Sequence, residues 1–340
     1  MQTLICYVNE IGALDFLLPV LGRIETSHPN VLVKLILPEY VQKKKLPILL
    51  NSPTFIIRHE SDIQSVLNKV RGKSSAICGI LCSATSSQAE FLVSEFAKQN
   101  TIPIIHIVDS LYGYRSRFEC DSLMIYHENV LLVDNLAKTH AVKDGFDEKK
   151  LSVVGHPGWE QQLNKLQRHP LPLSKNKSHN TLFLGAPVER DYGKSLGFDE
   201  YDSWSMIKEA QHKRPELIKE LIYCPHPQQR LINHNVSVPI LPFNMELLEN
   251  YGQIFGIFSS PLLTAHLSKR LSVSVQPGNL HTDVCPFSKR GFIKKAASAD
   301  ELIDVILNKI DQIEDNTVDL MLHGSVDRTL RCLSHLMNFQ

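Results

Sequence analysis

The sequence lacks the features that mark several large classes of protein. It has no surplus of charge, because 36 Lys and Arg residues balance 36 Asp and Glu residues, whereas a broad nucleic-acid-binding surface needs a basic excess. Its apolar runs are all shorter than the roughly 18 residues of a membrane span. The seven scattered cysteines form no CxxC pair. We therefore expect a reduced, cytoplasmic protein that binds neither nucleic acid nor zinc; peripheral association with the inner face of a membrane stays open.

The start of the chain also lacks two common signatures. The apolar run Leu4–Val8 has no basic segment before it, and polar Asn9 and Glu10 follow at once, which predicts a first strand and not a signal peptide. A single glycine, Gly12, follows this run, where the dinucleotide-binding loop of a dehydrogenase has three glycines. This pattern argues against a nicotinamide-dependent enzyme.

The sequence does contain a repeated alternation of short apolar runs with amphipathic segments. The runs have few polar interruptions, as in parallel strands that are covered on both faces, and their alternation with helices indicates doubly wound sheets. A chain of 340 residues is too long for one ordinary core. We predict the α/β class, with two Rossmann-like domains. Strands are predicted at 4–8, 31–37, 54–57, 75–81, 102–108, 130–133, 151–154, 181–184, 220–224, 236–241, 253–258 and 272–276.

A polar stretch separates two such alternating series. It covers residues 168–180, which are rich in Pro, Lys and Ser, and this composition is typical of a linker. We predict an N-terminal domain over 1–168, a C-terminal domain over 169–325 and a closing helix over 326–340.

The most informative residues follow strands in the last third of the chain. His226 and Pro227 stand at the end of one predicted strand, and Ser259 and Ser260 stand at the end of another, before Pro261. Imidazole, hydroxyl and backbone N–H groups at the start of a helix can all bind phosphate. Open α/β sheets bind ligands at the carboxyl ends of their strands. The pattern predicts a site for a phosphorylated ligand, although serine before proline is also a common helix cap.

These features resemble the GT-B architecture, which many glycosyltransferases share with the UDP-N-acetylglucosamine 2-epimerases. The sharpest likeness is the segment 246–267, where a helix, a strand that ends in serine and the next helix are similar to the family's nucleotide-diphosphate segment. The order of His226-Pro227 and Ser259-Ser260 is also similar to motifs of bacterial sialyltransferases and teichoic-acid glycerophosphotransferases. The resemblance implies two Rossmann-like domains that face a cleft, and a role in surface-polysaccharide biosynthesis.

The resemblance implies that the second domain binds a nucleotide-sugar. His226 would stabilise the charge that builds on the departing phosphate. We expect neither a metal nor another cofactor, because no DxD-like triplet stands at the end of a predicted strand. The residues implied for the donor are Gly185, His226, Pro227, Ser259, Ser260, Thr264 and Gln276.

The resemblance also implies that the first domain binds a glycan or lipid-linked acceptor. Asp109 ends one predicted strand and Glu10 follows the first one. Either carboxylate would be the general base that deprotonates the acceptor, or it would cap the next turn of chain. The aromatic and arginine-rich loop after Asp109 suits an anion, because a guanidinium pairs with phosphate or carboxylate. The residues implied for acceptor or phosphate are Gly12, Ser83, Thr85, Tyr114 and Arg115.

The sequence leaves three functions open. We expect a metal-independent glycosyltransferase that moves a sugar from a nucleotide-sugar to a glycan or lipid-linked acceptor. The second function is a sugar-nucleotide epimerase or hydrolase of the same fold, which needs two or more acidic or histidine groups that converge on the sugar. The third is a non-catalytic binding subunit without affinity for nucleotides. One fold hosts many reactions, so the geometry of the site has to decide between them.

Overall fold

The computed structural model describes residues 2–44, 52–72, 76–172, 177–226, 239–278, 283–308 and 321–338. The contacts within the chain divide it into two compact units. One unit consists of Met1–Gln161 with Asp319–Gln340, and the other consists of Gln162–Val318. Each unit is built on its own parallel sheet. The predicted α/β class, with two Rossmann-like domains, is therefore confirmed.

The first unit is built around a seven-stranded sheet in which every strand pair is parallel. A short antiparallel hairpin, β6 (Glu119–Cys120) with β7 (Leu123–Met124), precedes its last two strands. The strands of the large sheet are β1 (Gln2–Tyr7), β2 (Val31–Pro38), β3 (Thr54–Ile57), β4 (Ala76–Ser83), β5 (Ile104–Ile107), β8 (Asn129–Leu132) and β9 (Leu151–Val153).

The chain changes its direction of winding in the middle of this sheet. The spatial order is β3-β2-β1-β4-β5-β8-β9, so β1 and β4 are neighbours although β2 and β3 lie between them in sequence. Such a topological switch point leaves a crevice outside the carboxyl ends of the two strands. The helices of this part of the chain are α1 (Ile11–Ser27), α2 (Glu39–Lys44), α3 (Ile63–Arg71), α4 (Gln88–Gln99), α5 (Asn135–Lys143) and α6 (Pro157–Arg168).

The second unit repeats this plan with five parallel strands. These are β10 (Thr181–Leu184), β11 (Leu221–Cys224), β12 (Gln253–Gly256), β13 (Leu271–Val275) and β14 (Lys294–Ala296). The spatial order β11-β10-β12-β13-β14 places the switch point between β10 and β12. The helices are α7 (Val188–Tyr192), α8 (Glu200–Lys213), α9 (Pro261–Leu267) and α10 (Ala299–Asn308).

Both sheets are covered by the apolar faces of helices. In the first unit Ile63, Leu67 and Val70 of α3 are fully buried in one core cluster with residues of β1 and β4. They recur every three or four residues, which is the spacing of one helix face. In the second unit Trp204 of α8 and Leu302 of α10 join the core around β10 and β12. None of the helices within the described residues is long and apolar enough to cross a membrane.

Two predicted elements of the second half differ from the structure. The predicted helix at 245–251 is a 3₁₀ segment, Met245–Glu249, whose first turn is capped by the side chain of Asn244. The predicted strand at 236–241 falls largely outside the described residues. Ile240 forms an isolated parallel bridge with Tyr223 of β11.

The last helix, α11 (Ser325–Met337), packs against the first unit. Its N-terminus is held by the Glu160 carboxylate of α6, which accepts from Gly324 N (2.7 Å), Ser325 Oγ (2.7 Å) and Val326 N (2.8 Å). A carboxylate there satisfies N–H groups that have no partner inside the helix and complements the helix dipole. Position 155 requires a glycine, because a Cβ there would lie 2.6 Å from Ser325 Cβ.

We expect Glu160→Ala to lower the free energy of unfolding by about 2 kcal/mol, because it leaves charge-assisted hydrogen bonds unmade at a helix terminus. Urea denaturation followed by circular dichroism measures this loss. Gln161→Ala, at the exposed next position of the same helix, is the matched control and should change stability by less than about 0.5 kcal/mol. Equal effects of the two substitutions would contradict the role assigned to Glu160.

Candidate functional site

At the switch point of the first sheet, Asn9 connects the carboxyl ends of β1 and β4. Its backbone N–H donates to Ser83 Oγ (2.9 Å) and its side-chain Nδ2 donates to Thr85 Oγ1 (2.9 Å). The hydroxyls of Tyr7 and Tyr40 each donate to Asn9 Oδ1 over 3.2 Å, and the Tyr40 hydroxyl also contacts the Asn9 carbonyl oxygen. The residue next to Glu10 is therefore held through both its backbone and its side chain.

A fully buried carboxylate, Glu90 of α4, lies behind Ser83. Its Oε1 accepts from Ser83 Oγ (2.6 Å), and its Oε2 accepts from Thr85 N (2.7 Å) and Ser87 N (3.2 Å). The Ser87 hydroxyl accepts from Glu90 N in return (3.2 Å), which completes a capping box at the start of α4. Burial raises the pKa of Glu90 to about 7, and the hydrogen bonds from Ser83, Thr85 and Ser87 oppose that rise.

Acidic side chains and one arginine meet at the same edge. Arg117 Nη1 lies 4.0 Å from Glu10 Oε2 and donates to Ala84 O (3.0 Å). Burial raises the pKa of Asp109; Arg117 opposes this rise and Asp15 adds to it. Burial also raises the pKa of Glu10, with Arg117 opposing and Asp109 adding. Because Asp109 acts on Glu10, these two carboxylates are electrostatically coupled beside a shared cation.

Gly12 packs directly against one of these carboxylates. A Cβ at this position would overlap Asp109 Oδ2. The first turn of α1 therefore lies so close to the Asp109 carboxylate that a side chain at position 12 would require this carboxylate to move. This close approach is a packing reason for glycine at position 12, and a contact of Gly12 with acceptor or phosphate stays a prediction.

The structure separates the two residues predicted to form an anion site after Asp109. Tyr114 is buried, whereas Arg115 is exposed and its Nε donates to Glu119 Oε1 (2.7 Å). Arg117, two positions later, is the arginine that reaches the carboxylates. Ser83 is buried, with its hydroxyl between Asn9 and Glu90. A ligand contact of Ser83, Thr85, Tyr114 or Arg115 stays a prediction.

At the switch point of the second sheet, Gly185 follows β10 and Ser259 follows β12 closely. The Gly185 N–H donates to Cys224 O (2.8 Å), which extends the pairing of β10 with β11 by one hydrogen bond. Ser259 Oγ is buried and has no hydrogen-bond partner among the described residues. Ser260 is exposed and is the cap residue before Pro261. A buried hydroxyl without a partner, at the carboxyl edge of a parallel sheet, is available to a ligand.

His226 lies beside the charged residues of α7. Burial lowers its pKa, Arg190 lowers it further and Asp191 opposes them, so the imidazole is neutral at pH 7. Arg190 Nε is 2.6 Å from Asp191 Oδ1. Next to them the ring of Tyr192, which is 38% exposed, meets Phe258 edge to face at 6.0 Å. This edge therefore offers a neutral imidazole, a guanidinium and an aromatic surface.

Two other residues predicted for the donor, Thr264 and Gln276, have hydrogen-bond partners within the protein, and their contact with a donor stays a prediction. Thr264 Oγ1 exchanges hydrogen bonds with the side-chain amide of Gln162 (3.0 and 3.3 Å). Gln276 is buried, and its Nε2 donates to Asp283 Oδ1 (2.6 Å). Pro227 lies outside the described residues. The described ranges contain no group of three His, Cys, Asp or Glu side chains that could hold a metal.

Sequence reasoning missed Asn9, Tyr40 and Glu90. Glu90 had a signal, because Ser87-x-x-Glu90 before an apolar segment is the pattern of a capping box. That pattern indicates a local role, however, and not the contact with Ser83 and Thr85. No sequence pattern indicated Asn9 or Tyr40, because the contact between them depends on which strands are neighbours.

Solved structures with the same architecture include UDP-GlcNAc 2-epimerases. That of Methanocaldococcus jannaschii matches with a TM-score of 0.66 at 15% identity, over 98% of this chain and all of the other. The Neisseria meningitidis enzyme bound to UDP-GlcNAc matches with a TM-score of 0.66 at 13% identity, over 98% of this chain and 100% of the other. The S. aureus MnaA–UDP structure matches with a TM-score of 0.65 at 12% identity, over 100% of this chain and 98% of the other. Neither a family model nor a curated protein sequence matches the chain.

These similarities confirm the GT-B-like architecture in the form that the UDP-GlcNAc 2-epimerases have. At such identities they establish the fold alone. They do not show the likeness to sialyltransferases or teichoic-acid glycerophosphotransferases that the His-Pro and Ser-Ser pairs suggested.

We expect Gly12→Ala to lower the free energy of unfolding by about 1–3 kcal/mol, because the new methyl group displaces the Asp109 carboxylate or the first turn of α1. Gly22→Ala is the matched control on the same helix. It meets no atom within 4 Å and should raise stability by up to about 1 kcal/mol through helix propensity. Chemical denaturation of both variants tests this, and a stabilising Gly12→Ala would contradict the close packing described here.

Proposed function

We propose that this protein is an enzyme that acts on a nucleotide-sugar without a separate acceptor, as a sugar-nucleotide epimerase or hydrolase. The observation that carries the proposal is the likeness to UDP-GlcNAc 2-epimerase structures, which spans both chains almost completely. UDP-GlcNAc is accordingly the first substrate to test. The carboxylates Glu10 and Asp109 support the proposal, because two acidic groups that the sequence offered as alternative bases act on each other at one edge of the first sheet.

Epimerisation at C2 of the sugar needs a group that removes a proton and a group that returns one. The C2 hydrogen is not next to a carbonyl carbon, so it can leave as a proton only if the nucleoside diphosphate departs from C1. The C2–H electrons then form a C1–C2 double bond and the C1–O electrons leave with the diphosphate. Glu10 and Asp109 suit these proton transfers, because their raised pKa values bring them nearer to neutral pH.

The carboxyl edge of the second sheet supplies groups for the nucleotide. The Ser259 hydroxyl can donate to a phosphate oxygen, and the neutral His226 ring can donate one N–H. The Tyr192 and Phe258 rings offer an aromatic surface against which a base can pack. Each of these groups follows a strand at or next to the switch point between β10 and β12, where open α/β sheets bind their ligands.

Glycosyl transfer, the function expected from the sequence, is supported less well. It calls for one base to activate an acceptor, whereas the first unit holds two coupled carboxylates beside Arg117. Two of the three solved structures described above, those of Methanocaldococcus jannaschii and Neisseria meningitidis, carry the name of an epimerase and not of a transferase.

We expect the protein to turn over UDP-GlcNAc with no acceptor present. In D2O, NMR should show deuterium at C2 of the sugar in an epimerised product, or release of UDP with free sugar. Asp109→Asn and Glu10→Gln should each lower the rate by about 10²- to 10⁴-fold. Asp121→Asn, on an exposed turn of the hairpin, is the control. Turnover that requires a glycan acceptor would instead establish glycosyl transfer.

We expect Ser259→Ala to weaken the binding of UDP about tenfold, because one hydrogen bond to the diphosphate is lost. Isothermal titration calorimetry measures the change. Ser205→Ala, the same substitution at an exposed position of α8, should leave the affinity unchanged. Unaltered binding to Ser259→Ala would move the nucleotide away from the end of β12.

A further inference from the structure

Glu90 takes no direct part in the reaction proposed above, yet two chains of hydrogen bonds connect it to the residue next to Glu10. In the first, Glu90 Oε1 accepts from Ser83 Oγ, which accepts from Asn9 N (2.6 and 2.9 Å). In the second, Glu90 Oε2 accepts from Thr85 N, and Thr85 Oγ1 accepts from Asn9 Nδ2 (2.7 and 2.9 Å). Both chains end on Asn9, one at its backbone and one at its side chain.

We propose that Glu90 is a positioning residue that fixes Asn9 through Ser83 and Thr85, and thereby sets the orientation of the Glu10 carboxylate. The inference rests on the proposed function, in which Glu10 transfers a proton. A shift of about 1 Å in a reacting group is enough to cost about two orders of magnitude in rate, so a rigid support behind Glu10 has a kinetic value. Glu10 itself is 49% exposed, and its ion pair with Arg117 is long, at 4.0 Å.

The protonation state of Glu90 changes what Ser83 can do. When Glu90 is ionised, the Ser83 hydroxyl donates to it and keeps its lone pairs for the Asn9 N–H. When Glu90 is protonated on Oε1, its own O–H donates to Ser83 Oγ instead, and the Ser83 proton needs another acceptor. Loss or gain of one proton therefore rearranges the first chain of hydrogen bonds at the point where it meets Asn9.

This change falls in the neutral range, because burial raises the pKa of Glu90 from about 4.5 to about 7. The folded protein holds this proton more tightly than the unfolded chain does, so stability falls as pH rises from about 4.5 to about 7. Burial also raises the pKa of the neighbouring thiols and phenols, which are therefore neutral at pH 7, and Glu60 acts on the same tyrosines. The titratable groups that face Glu90 are Tyr7 on β1, Cys82 on β4, Tyr40 on α2 and Cys120 on β6.

Glu90→Gln tests the proposal with little change in shape. The amide oxygen can accept from both backbone N–H groups and the amide nitrogen can donate to Ser83 Oγ, as in the protonated acid. With UDP-GlcNAc as substrate we expect kcat to fall about tenfold with KM nearly unchanged, and the inflection near pH 7 to vanish from the pH–rate profile. Glu95→Gln, the same substitution on the same helix, should keep the rate and the profile of the unaltered protein.

A double variant tests whether Glu90 acts through Glu10. In a Glu10→Gln background, Glu90→Gln should have no further effect on kcat, because the group that it positions is no longer a carboxylate. If the effects of the two substitutions on kcat multiply, the proposal is overturned, since Glu90 would then influence the reaction independently of Glu10. An unaltered rate and pH profile in Glu90→Gln alone would overturn it as well.

A measurement without substrate separates this inference from the proposed function. The carboxyl carbon of Glu10, assigned through Glu10→Gln, can be titrated by NMR in proteins labelled with ¹³C-glutamate. Glu90→Gln and Thr85→Val should both change its titration curve. Thr85→Val removes the acceptor for the Asn9 side chain and the hydrogen bond of the same hydroxyl to Glu90, and it keeps the Thr85 N–H that donates to Glu90. An identical curve in both variants overturns the inference even if UDP-GlcNAc is turned over. A changed curve in a protein that does not turn over UDP-GlcNAc supports the positioning role and rejects UDP-GlcNAc as the substrate.

Discussion

Parallel pairing of the strands is the constraint on which the candidate site depends. In a parallel sheet the carboxyl ends of all strands lie at one edge, so side chains that are distant in sequence come together there through strand pairing alone. Asn9 and Ser83 are 74 positions apart and are joined by a hydrogen bond, because β1 and β4 are neighbours. The same geometry in the second unit places Gly185 and Ser259 at the ends of adjacent strands. Loops alone would hold such residues less firmly.

Three carboxylates in the first unit have different surroundings, and these surroundings give the same chemical group different roles. Glu10 and Asp109 share Arg117, which favours their charged forms, while burial works against them. Glu90 has no such cation among the groups that shift its pKa and is stabilised by hydrogen bonds alone. A buried carboxylate without a cation is costly for stability. Its presence at the base of the site is explained if its hydrogen bonds hold the chain next to Glu10.

Much of the fold could be predicted from the sequence. The apolar runs around Ile104–Ile107 and Thr181–Leu184 indicated parallel strands, because few polar residues interrupt them. Asp109 could be predicted as a candidate for the site because it follows such a strand. Which strands are neighbours could not be predicted, since the pattern within one strand does not identify its partner. The contacts of Asn9 with Thr85 and Tyr40, and the close approach of Gly12 to Asp109, depend on that pairing and were therefore missed.

The position of α11 in the chain has a consequence for the order of events during synthesis. The first unit receives this helix only after the second unit has been made, because Asp319–Gln340 follows Gln162–Val318. Domains generally fold as they leave the ribosome, the N-terminal one first. In this chain, Gly155 and the Glu160 carboxylate cannot make their contacts with the start of α11 until the second unit has been synthesised. The nascent first unit exposes the surface that α11 later covers, so this chain has a stage at which a chaperone would find a surface that the finished protein no longer presents.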